Sequence, residues 1–294
     1  MSTYKNTISI FNQFKMYLND RYGDGCQLLV GDITKQIVRG FLEWGSDRKR
    51  KKVTIEKYLE LICKVCRHAS DDGMLPESTA KAITGIKLED SLDDADNEKI
   101  KYLIFDELRK LKHYDANSLT KRQSDYLQIF FFAFFTGLRI SDTISLKWRN
   151  VDFDKKKIRK VLVKPHEKKR VPLRDEAIMI LEKWRGRNRT FCFDLLPANF
   201  DLKDEEEFRI RRNSITSNIN KCLKRIAKVV GIDKNLTFHM ARHSFSVLCL
   251  EQGMPIPMIS KCLGHATPEI TSRVYACYTD DATAKAVNDL KFDL

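Results

Sequence analysis

Two histidines four positions apart, His239 and His243, flank Arg242 in a stretch that runs on to His265, Arg273 and Tyr275. Side chains three and four apart share one side of a helix, so the stretch can present two imidazoles and a guanidinium together. Paired histidines at this spacing suit zinc, but the metalloprotease arrangement needs a glutamate directly after the first histidine, and Met240 stands there. The guanidinium points to other chemistry. Its planar fork of donors matches phosphate oxygens and stays ionised at any working pH, while imidazole gives or takes a proton near neutrality. Arg139 supplies a second guanidinium at an expected helix start, where backbone amides and the helix dipole favour an anion. Asp142, three residues on, can hold Arg139 or a neighbouring imidazole in place. Together these residue types suit a phosphate better than a metal.

Whole-chain properties agree with a polyanionic partner. The 294 residues carry 53 Lys+Arg against 40 Asp+Glu, a net charge of +13. Each cation set against a phosphate releases a condensed counterion, so nucleic acid leads and an anionic membrane surface follows. Hydrophobic residues at 43% and charged residues at 32% exclude a disordered or collagen-like chain. The length predicts two domains. The eight cysteines are scattered, and the polar start from Met1 to Phe14 does not read as a signal peptide, so a cytoplasmic protein with reduced thiols is expected. Cys63 and Cys66 form a C-x-x-C beside His68, but no second ligand pair follows at zinc-site spacing, and they read as small apolar residues one helical turn apart. The apolar run Ile129 to Phe135 falls far short of the roughly 20 residues of a membrane span and reads as a buried helix.

The elements that must position these groups follow from periodicity. Ile8, Phe11, Phe14 and Leu18 mark a helix face ended by Gly23 and Gly25. Thr34 is the expected N-cap of a second helix bearing Ile37, Phe41 and Trp44, with Gly45 as its stop. Tyr58, Leu61, Ile62, Val65 and Ala69 mark a third, closed by Asp71-Asp72-Gly73, and a short fourth follows Pro76. Between the second and third lies a basic run, Arg48, Lys49, Arg50, Lys51 and Lys52, which serves either as a solvated loop or as a phosphate contact. An acidic stretch within Lys87 to Lys99 reads as a linker. The expected division is residues 1–90, a linker at 91–100, and a second domain at 101–294.

In the second domain, helices are expected around Phe105 to Leu111 and Ser124 to Phe135, then a turn at Thr136 to Asp142 opening a helix that carries Leu146 and Trp148. Val151 to Phe153, Ile158 to Val163 and Arg170 to Leu173 are short β-branched runs with basic turns, the signature of a small antiparallel meander. Helical patterns resume at Asp175 to Arg185 and at Phe208 to Val230, and continue to the carboxyl end. The fold class is therefore mainly α, an all-helical domain followed by a mixed α+β domain with one small sheet.

Four boxes in this order resemble the tyrosine recombinases, or phage integrases. Thr136-Gly137-Leu138-Arg139-Ile140-Ser141-Asp142 looks like the first-arginine motif, and His239-Met240-Ala241-Arg242-His243 like the H-x-x-R-H box. Leu263-Gly264-His265 looks like the third box, and Tyr275, ten residues after His265, like the nucleophile. The resemblance implies a SAM-like core-binding domain and a catalytic domain. It maps the hairpin lysine to Lys164, ahead of Val171-Pro172-Leu173, with Lys168 and Lys169 as nearby competitors; Tyr278 competes with Tyr275. Arg139, Lys164, His239, Arg242, His265 and Tyr275 would be catalytic, with Asp142 and His243 supporting.

The implied reaction is site-specific recombination through a 3′-phosphotyrosyl link, with no metal, cofactor or ATP. The implied partners are double-stranded DNA and three further copies on paired sites, joined by exchange of a tail patterned Ala282, Ala286, Val287, Leu290. The layout looks Xer-like, without an additional arm-binding domain, in a cytoplasmic, nucleoid-associated protein. Two alternatives remain at this level: strand relaxation of the type IB topoisomerase kind, and DNA binding with a retired site.

Overall fold

The computed structural model describes residues 2–88, 102–114, 118–163 and 168–264. The chain divides into two compact units, 1–99 and 100–294. The expected linker lies outside the described residues.

The first unit holds α1 (Ser2–Tyr22), α2 (Lys35–Asp47), α3 (Lys52–Asp71) and α4 (Glu77–Thr84). Thr34 caps α2, its hydroxyl accepting from the Ile37 amide at 3.2 Å, a contact of about 1 kcal/mol. The core gathers Tyr17, Phe41, Trp44 and Tyr58, with Phe41 stacked on Tyr58 at 5.1 Å between centroids. Two expectations change. Gly45 does not stop α2; it is buried inside the helix, facing Ile55 and Tyr58 of α3 at ordinary van der Waals distance. The buried stripe of α1 is centred on Tyr17 and Leu18, flanked by Ile10 and Phe14, while Ile8 and Phe11 are exposed. Cys63 and Cys66 lie in this core, and burial pushes both thiols above their ordinary pKa.

The second unit begins with α5 (Phe105–Lys112) and α6 (Lys121–Thr136). Helix α6 opens on a reciprocal cap, Thr120 and Gln123 each accepting the other's amide. It buries Ile129, Phe130, Phe132 and Ala133 completely, because α8, α9 and α10 pack around it. The short α7 (Ile140–Ile144) follows, and Leu146 and Trp148 lie beyond its end rather than on it; Trp148 starts a single 3₁₀ turn. Strands β1 (Val151–Asp152), β2 (Lys157–Val161) and β3 (Lys168–Pro172) form the expected antiparallel meander, with Ile158 opposite both Val151 and Val171. Helices α8 (Asp175–Trp184), α9 (Glu205–Val229), α10 (Phe238–Glu251) and α11 (Ile256–Leu263) complete the described part. Among the described residues, no helix is long and apolar enough to cross a membrane.

Candidate active site

Glycine geometry brings three separate segments together. Gly137 ends α6 in the left-handed region at φ 64°, and a Cβ there would stand 3.0 Å from Phe245 and 3.2 Å from Leu263. Gly264 ends α11 in the same way at φ 64°, and a Cβ there would stand 2.7 Å from Leu162. The glycines of two sequence boxes thus share one physical reason: a reversed helix end pressed against a neighbouring element. Their carbonyls face the site.

Arg242 is buried on α10. It donates to the Gly137 carbonyl at 2.6 Å and to the Leu263 carbonyl at 2.8 Å, which ties α10 to the ends of α6 and α11. Arg139, half-buried at the start of α7, reaches the Gly264 carbonyl at 3.5 Å through both terminal nitrogens. Burial lowers the Arg139 pKa and the nearby Asp142 opposes the shift. Helix α7 has only five residues, so its dipole adds less to anion binding at Arg139 than a full helix would.

Helix α10 buries two serines alongside Phe238, Met240, Ala241 and Val247. Ser244 and Ser246 are fully buried, and each hydroxyl donates one turn back, to Met240 and Arg242. Ser244 also accepts the Leu103 amide at 2.7 Å. Thr237 does not cap α10; Asn220 of α9 accepts the Phe238 amide in its place. His239 meets His243 edge to face at 4.4 Å between ring centroids. His239 keeps one exposed side, yet protein surrounds enough of the ring for desolvation, and then Arg242 and Arg139, to hold it below the usual imidazole pKa. A neutral imidazole next to two guanidiniums is suited to accepting a proton.

Asp142 exerts an electrostatic pull on Arg139, but its hydrogen bonds go to the β2–β3 hairpin. Its side chain is completely buried, and Oδ1 accepts the Val163 amide at 2.8 Å at the root of the β2–β3 hairpin. Lys160 of β2 donates to the Asp142 backbone carbonyl at 2.8 Å and to Ser145 Oγ at 2.6 Å, with Asp142 Oδ1 at 3.5 Å. Burial pulls Lys160 down to about 8 against the attraction of Asp142. The carboxylate therefore fixes where the hairpin leaves the sheet, one residue before Lys164. Lys160 and Ser145 belong to none of the sequence boxes. The period of two offered a signal, since Lys160 shares a strand face with the buried Ile158 and a cation there needs partners.

Of the hairpin lysines, Lys168 is exposed and Lys169 turns inward to donate to the Cys262 carbonyl. Lys164, His265, Tyr275, Tyr278 and the tail lie outside the described residues. The basic run fills the α2–α3 connection and ends on Lys52, the first residue of α3; Arg48 is paired with Asp20 at 2.7 Å and lies over Trp44, and Arg50 donates to Gln13 at 3.3 Å.

Comparison with known proteins identifies the family. Residues 101–281 match the phage integrase family and residues 1–85 the phage integrase SAM-like domain. The chain belongs to the phage integrase family, the tyrosine-type site-specific recombinases. A tyrosine recombinase of Pseudothermotoga lettingae is 25% identical over 295 residues, covering 95% of this chain and 96% of that protein. A XerC-like tyrosine recombinase of Caldanaerobacter subterraneus subsp. tengcongensis is 27% identical over 190 residues, 55% of this chain and about half (48%) of that protein. Among solved structures, the Tn1549 transposon integrase in complex with a circular intermediate DNA superposes with a TM-score of 0.71 at 17% identity, covering 97% of this chain and 94% of that one. A lambda integrase dimer bound to a core site superposes at 0.65 with 16% identity, covering 93% and 88%.

Proposed function

We propose that this protein cuts and rejoins double-stranded DNA at a specific site through a covalent bond between Tyr275 and a 3′ phosphate. The observation that carries the reading is the convergence of Arg139 and Arg242 beside a neutral-leaning His239, around the carbonyls that end α6 and α11. In the forward step the Tyr275 hydroxyl attacks the phosphodiester, the Tyr275 Oη–P bond forms and the P–O5′ bond breaks. His239 accepts the tyrosine proton. Arg139, Arg242 and His265 donate to the nonbridging oxygens, where negative charge develops. A hairpin lysine, Lys164 by resemblance, protonates the departing 5′ oxygen. The phosphotyrosyl link retains the bond energy, so the reverse attack by a 5′ hydroxyl reseals a strand without ATP.

The basic run Arg48 to Lys52 contacts phosphates from the first unit. The working form is a tetramer on two paired sites, joined by exchange of the tail beyond Tyr275. A groove of about 930 Å³, lined by Phe131, Phe134, Phe135, Leu248 and Met258 among others, supports this reading because it offers an apolar seat for such a tail. A cytoplasmic, nucleoid-associated location follows from these partners.

Covalent trapping on nicked genomic fragments tests the reading. Wild type yields a protein–DNA adduct whose sequence reveals the site, and Tyr275→Phe yields none while still binding. An adduct that survives Tyr275→Phe and disappears in Tyr278→Phe moves the nucleophile. No adduct from wild type sinks the recombinase reading.

A further inference from the structure

Three cations from three elements donate to three successive carbonyls at the end of α11: Lys169 to Cys262, Arg242 to Leu263 and Arg139 to Gly264. Two of these cations belong to sequence boxes. The third comes from β3, where Lys168 and Arg170 point outward and Lys169 shares the inner face with Val171. An ammonium turned toward a core is costly unless it meets acceptors. Here it meets the negative end of a helix, where unsatisfied carbonyls favour a cation. The missing Cβ of Gly264 makes room for it, since a Cβ there would stand 2.9 Å from Lys169 Nζ.

We infer that Lys169 is a positioning residue of the phosphate site: its ammonium pins the last turn of α11 to β3 and thereby sets Arg139 and Arg242, which hold the same turn. The inference rests on the proposed recombinase reading and deepens it. Proton donation stays with Lys164; Lys169 acts through the turn. Any loosening at Cys262 moves the Leu263 and Gly264 carbonyls, and with them the guanidinium that each orients.

Among the described residues, the charged and titratable groups facing Lys169 are Arg242 on α10, Arg139 and Asp142 at α7, and Cys262 on α11. Burial, followed by the repulsion of Arg242 and then Arg139, brings Lys169 down to about 7 against the opposing pull of Cys262 and Asp142. With the folded pKa lowered, the ammonium hold is complete below that value and weakens as pH rises through it. A bound phosphodiester adds negative charge and keeps the proton in place, so DNA tightens the turn that orients its own ligands.

Hydrogen exchange on the full-length protein without DNA tests the pin. Lys169→Met speeds exchange of the α11 amides from Ile259 to Gly264, and Lys169→Arg, which keeps a donor and a charge, does not. Strand cleavage is then measured on the nicked duplex recovered by trapping, alongside the same duplex with sulfur in place of the 5′ bridging oxygen. Lys169→Met slows cleavage about 100-fold, the scale of a small misplacement of catalytic groups, and sulfur does not restore it. Sulfur does restore Lys164→Met, since a thiolate leaves without a proton. Lys169→Arg moves the alkaline loss of wild-type cleavage to higher pH.

Unchanged exchange and unchanged cleavage in Lys169→Met overturn the inference. Rescue of Lys169→Met by sulfur overturns it too, making Lys169 the proton donor. An alkaline loss that Lys169→Arg leaves in place removes the role of charge. If wild type forms no adduct with any DNA, the recombinase reading fails, and exchange alone still decides whether Lys169 holds α11.

Discussion

The two units bury different things. The core of the first is aromatic and aliphatic, with its charged pairs at the surface, as at Arg48 and Asp20. Every buried polar or charged residue described, from Thr136 through Asp142 and Arg242 to Ser260, belongs to the second. Burying a polar group is unfavourable unless its hydrogen bonds are met, and nearly all of these are met locally by helix ends and serine hydroxyls. Among the described residues, Asp142 Oδ2 is an exception in the second unit, and Asn19 Oδ1 is a buried atom without a partner in the first. The difference fits the two tasks proposed for these units. A unit that holds DNA from its surface needs only a rigid apolar core under a basic loop. A unit that stabilises charge in a transition state needs its own charges held in a dry, fixed frame before substrate arrives.

The largest test of this contrast is Arg242→Ala. Two buried carbonyls lose their donor, at about 1–3 kcal/mol each, so the second unit melts lower, and cleavage in the trapping assay falls by roughly 100-fold or more. A variant that cleaves normally would dissolve the distinction. Replacing Arg48 through Lys52 with alanine acts in the opposite sense. DNA affinity drops, and the slope of log affinity against log salt falls by about 0.9 for each phosphate that the run no longer neutralises. The reduction stays below that of five neutralised phosphates because Arg48 is already engaged with Asp20, and the exposed pair adds at most about 1 kcal/mol to stability. An unchanged slope in a salt titration removes the run from the DNA interface.

The smallest effect concerns pH. His239 must be neutral to accept a proton, and its pKa is held below the ordinary 6.5. Cleavage therefore persists as pH falls to 6.5 and is lost only as His239 protonates beneath it. The sign for stability is the same: the unfolded chain takes up the proton first, so stability from this group is present above 6.5 and is lost on acidification through the folded value. A pH–rate profile whose acid limb lies above 6.5 would show that His239 is not the acceptor, or that the guanidiniums do not depress it.

Much of the frame is legible from local pattern. Thr34 caps its helix, the meander falls where the β-branched runs are, and Gly137 and Gly264 occupy reversed helix ends as only glycine does without strain. The departures are also instructive. Gly45 reads as a helix stop because local propensity makes it one, yet it lies inside α2, buried against α3. Ile8 and Phe11 fit a helical period as well as Ile10 and Phe14 do, and nothing in the period says which side meets α2.

By itself, the sequence determined the residue types, their order and their spacing: two guanidiniums, paired imidazoles, a tyrosine and the glycines that permit close approach. Those depend on covalent geometry and on short-range periodicity. Only the tertiary structure decided what each group touches. It gave Asp142 a hydrogen bond to the Val163 amide, set Lys160 beneath it, and brought Lys169 to the carbonyl next to those held by Arg242 and Arg139. Hydrogen bonds across more than a hundred positions of chain, such as Arg242 to Gly137, leave no periodic trace. They exist because helix ends with unmet carbonyls and cations with unmet donors are driven together when the core closes around α6.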